Sequence, residues 1–112
     1  MKKYFLMVKI ILSAFALFYS TTAVAGWTSG QIKSIVITKN NILIFDSGIK
    51  NQPPNCQTVP NQWVVDLNTA GGKAIYALIL SAQAQGKEVI VVGQNSCAVW
   101  PDRETVDHLW IN

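Results

Sequence analysis

The side chains able to do chemistry in this chain are few. After residue 25 they are Cys56 and Cys97, the single histidine His108, the scattered serines Ser29, Ser34, Ser47, Ser81 and Ser96, and the acids Asp46, Asp66, Glu88, Asp102, Glu104 and Asp107. General acid–base or nucleophilic catalysis needs titratable groups gathered within hydrogen-bonding reach of one another. His108 alternates with Val106 and Trp110 in a β-like run, which predicts a structural or surface residue, and the serines lie in no nucleophile-elbow pattern. Asp102 and Glu104 flank Arg103. They are the nearest approach to a carboxylate pair for glycoside hydrolysis, and a solvated turn accounts for them more simply. Ala70-Gly71-Gly72-Lys73 resembles a phosphate cradle at a helix start, but it lacks the GxxxxGK[ST] spacing and predicts a tight strand-to-helix connection instead. The expectation is a protein that is not an enzyme, with no catalytic residues and no cofactor.

Cys56 and Cys97 are 41 positions apart. An even count in an exported chain predicts one disulfide. Closing that loop stabilises the fold by about 4 kcal/mol in the chain-entropy model. A metal site is the competing assignment, but one histidine and no CxxC leave it short of ligands, so no metal is expected. Four tryptophans remain. Trp63 and Trp110 fall inside strand-like runs and are expected in the core or at a barrel end. Trp27 and Trp100 stand near segment ends beside polar residues, where a ring can stack on a sugar face or anchor a protein contact. With Asp102 and Arg103 they form the candidate ligand-contacting set, core packing being the competing role for each ring.

Lys2 and Lys3, an apolar run from Ile10 to Tyr19 and the small residues Ala23-Val24-Ala25 have the three-part form of a secretory signal peptide over residues 1–25. A membrane-spanning helix is the alternative, but Lys9 interrupts the run, and what remains is shorter than the ~20 residues needed to span. Cleavage after Ala25 predicts a secreted or periplasmic chain, Gly26–Asn112, with no stable membrane insertion. The formal charge of +3 then resides in Lys2, Lys3 and Lys9. Lys33, Lys39, Lys50, Lys73, Lys87 and Arg103 balance the six acids, so the exported chain is formally neutral and its charge offers nothing to nucleic acid.

The elements that must position these residues follow from pattern. Ile32–Thr38 is rich in β-branched residues and predicts a strand packed on both faces. Lys39-Asn40-Asn41 supplies the turn into a second strand, Ile42–Phe45, making a hairpin. Gly48–Asn61 carries Pro53, Pro54 and Pro60 and predicts a long loop. Gln62–Leu67 is a third strand, and Asn68 or Thr69 caps a helix over Lys73–Gln85, with Ile75, Leu78, Ile79 and Ala82 on one face and Gly86 after its end. Glu88–Val92 and Thr105–Ile111 are strands, with an extended piece at Cys97–Trp100. The order β-β-β-α-β-β predicts a mainly β domain over 26–112, an OB-like five-stranded Greek-key barrel with the helix at one end. A small α+β sheet carrying one helix is the alternative.

The helix from Gly72-Lys73-Ala74-Ile75-Tyr76-Ala77-Leu78 to Ala84-Gln85-Gly86-Lys87, with Cys56 before it and Cys97 after it, and the segment Cys97-Ala98-Val99-Trp100 resemble the B subunits of AB-type toxins of the subtilase cytotoxin and cholera toxin kinds. The layout is similar over most of Trp27–Ile111, and no glycan-binding motif matches residue by residue. The resemblance implies a non-enzymatic module that binds cell-surface glycans as a homo-oligomer, a pentamer if fully toxin-like. The alternative expectation is a small exported inhibitor whose Pro-rich loop engages a protein.

Overall fold

In the computed structural model, which describes residues 24–112, the elements run β1 (Trp27–Gln31), β2 (Ile35–Ile37), β3 (Ile42–Asp46), β4 (Gln62–Asp66), α1 (Ala70–Gln85), β5 (Glu88–Gly93) and β6 (Glu104–Ile111). All but the last two residues of the predicted signal segment 1–25 lie outside the described residues. The strands form one sheet in the order β1-β5-β6-β4-β3-β2. Neighbours are antiparallel except β4 and β6, which run parallel through Trp63↔Glu104 and Val64↔Thr105.

The fold is mainly β with one helix, as the patterns predict, but the closed five-stranded barrel is not found. There are six strands among the described residues, and no ladder joins β1 to β2. The predicted first strand, Ile32–Thr38, is cut down to Ile35–Ile37, with Val36 and Ile37 about half exposed, because the chain leaves strand geometry at Ile32–Ser34. Before this break lies β1, which the sequence conceals: Trp-Thr-Ser-Gly-Gln carries a glycine and little β-branched surface. Pairing with β5 recruits it, from Trp27↔Val92 to Gln31↔Glu88. The two ends of the strand order are therefore consecutive in the chain, and the sheet must curl so that only Ile32–Ser34 spans them. Ile32 is buried in the core at that junction. Cys97–Trp100, expected to be extended, forms no strand.

Local signals elsewhere hold. Asn41 takes φ 60° in the connection to β3, as the hairpin requires. Thr69 is the cap of α1, its Oγ1 accepting from the Gly72 backbone N–H at 2.9 Å. Gly86 ends the helix with φ 63°, a conformation free of strain only where no Cβ is present. Ile79 and Ala82 on the helix meet Leu43, Phe45, Trp63, Val65, Val89, Val91 and Val106 in the core.

Trp63 is fully buried, and its indole Nε1 donates to Thr28 Oγ1 at 3.0 Å. Thr28 Oγ1 in turn lies 2.7 Å from Ser47 Oγ. This buried chain of three side chains ties β1 to β4 and to the loop after β3. Trp63→Phe is expected to lower stability by about 1–3 kcal/mol, since it removes the donor and leaves space in a packed core. Urea denaturation measures this, and an unchanged midpoint would refute the role given to the chain of hydroxyls.

Candidate functional site

Residues directly opposite one another in a ladder share a face of the sheet. Trp27 pairs with Val92 and Val92 with His108; Ser29 pairs with Ile90 and Ile90 with Trp110. The outward face of β1, β5 and β6 therefore carries two parallel rows, Trp27-Val92-His108 and Ser29-Ile90-Trp110. Trp27 is 42% and Trp110 43% exposed. The His108 and Trp110 rings stack, with centroids 5.8 Å apart and an interplanar angle of 13°. Half-buried Val92 and Ile90 pave the strand between them. Exposed aromatic rings gathered on one face of a small domain mark an interaction site more often than scattered ones do. The rim is polar: His108 Nδ1 lies 2.7 Å from Asp107 Oδ2, and Asn51 Nδ2 donates to the Trp27 carbonyl at 3.4 Å.

Trp110 corrects the expectation of core packing. Plain alternation puts Val106, His108 and Trp110 on one face, but the register shifts between Val92↔His108 and Gly93↔Val106, so Asp107 is an extra residue on β6. A bulge of this kind reverses the alternation beyond it. Val106 stays in the core, Leu109 and Ile111 join it, and His108 and Trp110 turn outward. No sequence signal for the bulge exists in Glu104–Ile111, and this is why the platform was not legible.

The predicted ligand-contacting set divides. Trp27 belongs to the platform, while Trp100, Asp102 and Arg103 gather at one turn on the approach to β6. Arg103 pairs with Asp102 through Nη1 at 2.6 Å and donates from Nε to Gln62 Oε1. The Asp102 carbonyl accepts from the Thr58 and Val59 backbone N–H groups at 3.0 and 3.4 Å. Trp100 is half-buried and bridges only to Arg103. Asp102 thus holds the Pro-rich loop through its carbonyl, and Arg103 ties the same turn to β4 at Gln62; the Cys56–Cys97 disulfide, whose Cα atoms are 6.1 Å apart, also anchors the loop.

A buried ion pair, absent from the sequence expectations, locks the same loop to the sheet. Lys50 Nζ lies 3.5 Å from Glu104 Oε1, the two side chains being 1% and 0% exposed. It also donates to Gln57 Oε1 and the Gln62 carbonyl at 2.8 and 2.9 Å, and it stands 3.3 Å from the centroid of the Trp63 ring. Desolvation lowers the Lys50 ammonium to about 8, with Glu104 opposing the shift. Glu104 Oε2 accepts from the backbone N–H groups of Asn95 and Gly26 at 2.9 and 3.1 Å, whereas Oε1 accepts no hydrogen bond. A Cβ at Gly26 or Gly93 would overlap this carboxylate, so a larger residue at either position requires it to move.

A cleft of about 280 Å³ lies between the first turn of α1 and β6, lined by Asp66, Thr69, Gly72, Thr105 and Asp107 among others. Helix starts favour anions, but the Asp66 and Asp107 carboxylates oppose one here. No group of three or more His, Cys, Asp and Glu side chains among the described residues is placed to share a metal ion, and no described helix is long and apolar enough to cross a membrane. No protein-family model, no curated protein and no solved structure matches this chain.

Proposed function

We propose that this chain is an exported, non-enzymatic binding module that recognises a glycan on the outward face of β1, β5 and β6. The observation carrying this reading is the pair of exposed rings, Trp27 and Trp110, fixed on neighbouring rows of a rigid sheet, with His108 stacked on Trp110. A pyranose presents an apolar C–H face and a polar edge. The rings suit the first, while Ser29, Asn51 and the His108–Asp107 pair suit the second. The strand order supports an OB-like arrangement: merging β1 and β2 into one bent strand turns the open order into one that returns on itself, as in a partly open Greek-key barrel. The module acts outside the cytoplasm, in the periplasm or beyond, and a toxin-like assembly would be a ring of identical subunits. Light scattering on the exported protein tests the ring, a monomer counting against it.

Screening oligosaccharides by the change in tryptophan fluorescence is expected to find ligands whose affinity falls at least about tenfold in Trp110→Ala, the loss of one stacked ring being worth on the order of 1.4 kcal/mol. Because Trp110 is exposed, the melting temperature should stay close to that of the parent. Ligands bound equally well by Trp110→Ala and Trp27→Ala proteins would remove the platform from the proposal.

A second reading, a protein-binding inhibitor, draws on the Pro-rich loop. This segment is held by the disulfide, by Lys50 and by the Asp102 carbonyl, and it presents Ile49 at 80% exposure. A preorganised loop binds a partner at low entropic cost.

A further inference from the structure

Resting on the signal-peptide reading but independent of any ligand, we infer that the amino group released at Gly26 by cleavage after Ala25 becomes a buried counter-ion of Glu104, so that processing completes the charge balance of the core. Gly26 is buried, and its nitrogen already lies 3.1 Å from Glu104 Oε2. Its carbonyl accepts from the Gly93 N–H at 2.9 Å, which fixes the position of that nitrogen beside β5. Hydrolysis of the Ala25–Gly26 peptide bond by a signal-peptide-removing protease adds water across it. The hydroxyl goes to the Ala25 carbonyl carbon, a hydrogen goes to the Gly26 nitrogen, and the freed amine takes a further proton. A neutral N–H facing the carboxylate thereby becomes an ammonium.

The Glu104 carboxylate has room for this partner in energetic terms. Its side chain is fully buried, and its one charged contact, Lys50, stands at a long 3.5 Å from Oε1 while giving two of its three N–H groups to Gln57 and Gln62. Charge-assisted hydrogen bonds are shorter and stronger than neutral ones. The two cations address different oxygens, Lys50 facing Oε1 and Gly26 facing Oε2. The remaining neighbours of the carboxylate are neutral: the Asn95 N–H, Gly93 and the Trp63 ring. Arg103, next in sequence, is engaged by Asp102 and Gln62. The residue type at the cut also follows, since a Cβ at position 26 would overlap the carboxylate. A product of cleavage beginning with glycine therefore places its amine there without displacing the carboxylate.

The test uses the full chain, expressed, exported and purified from the compartment it reaches. Intact mass is expected to show a chain starting at Gly26. With ¹⁵N-glycine labelling, the Gly26 α-amine is expected to titrate well above the usual α-amine range, and in Glu104→Gln it should return toward that range. A group raised in the folded state stabilises fully below its unfolded pKa and loses that contribution as pH rises through the folded one. The amine's contribution to the melting temperature should accordingly fall as the pH passes its titration, against a rise contributed by Lys50 over the same range. An amine titrating in the usual range would overturn the ion pair, and a chain starting at another residue would overturn the assignment of the cut. Should Glu104→Gln fail to fold, the titration of the parent protein decides alone.

Discussion

Lys50→Met is expected to destabilise the fold by about 3 kcal/mol, the lower end of the range for breaking a buried ion pair, because the Gly26 amine still faces the other oxygen of Glu104. The group left behind is Glu104, fully buried, whose Oε1 then has no charged neighbour. Two acceptors, Gln57 Oε1 and the Gln62 carbonyl, lose their donor in the same step. Adding Glu104→Gln to Lys50→Met should recover part of the loss, because a neutral amide avoids the buried charge and still accepts from the Asn95 N–H. Urea unfolding of the single and double variants measures the coupling; a single variant within about 0.5 kcal/mol of the parent would contradict the pair's role. The pH dependence has a definite sign. Lys50 titrates near 8 in the fold against 10.5 ordinarily, so between those values the unfolded chain binds the proton better, and this group alone makes stability climb with pH. The Gly26 amine works in the opposite direction over the same range. The climb is therefore expected in the difference between parent and Lys50→Met, taken at each pH.

Cys56→Ser combined with Cys97→Ser is expected to lower stability by about 4 kcal/mol, the loop-closure entropy of a 41-residue separation. The parent under reducing conditions should melt at the temperature of this variant, and a melting temperature indifferent to reductant would sink the expectation. The same variant separates the two proposed functions. The bond joins the Pro-rich loop to the segment leading into Trp100 and Arg103, whereas His108 and Trp110 stand on β6, braced by β5, and Trp27 on β1 meets the loop through its bridge to Asn51. Below the melting transition, a ligand of the platform should keep its contacts with His108 and Trp110 and lose at most the part that Asn51 supplies. A protein partner recognising the loop should bind it more weakly, because the loop would have to be ordered on binding.

Much that is local was already settled in the chain. The proline cluster, the turn at Asn41, the cap at Thr69, the apolar stripe of α1 and the stop at Gly86 are each decided by a residue's own backbone preference or by its neighbours a few positions away. Such preferences act whatever the rest of the molecule does. The pairing of Cys56 with Cys97 needed only the count and the expectation of an oxidising compartment.

What acts across the sheet was decided by tertiary structure alone. β1 is a strand because β5 offers it an edge, not because Trp-Thr-Ser-Gly-Gln prefers one. Trp110 points to solvent because one extra residue at Asp107 reverses the alternation that the sequence displays. Lys50 and Glu104, more than fifty positions apart and each ordinary in its own surroundings, become a buried pair only when the Pro-rich loop folds back over β4 and β6. The chain thus determined by itself its turns, its helix and the residues that cap it, where free energies are set by residues close in sequence. Register, facing and burial of charge rest on contacts between distant segments, which the order of residues along the chain does not display.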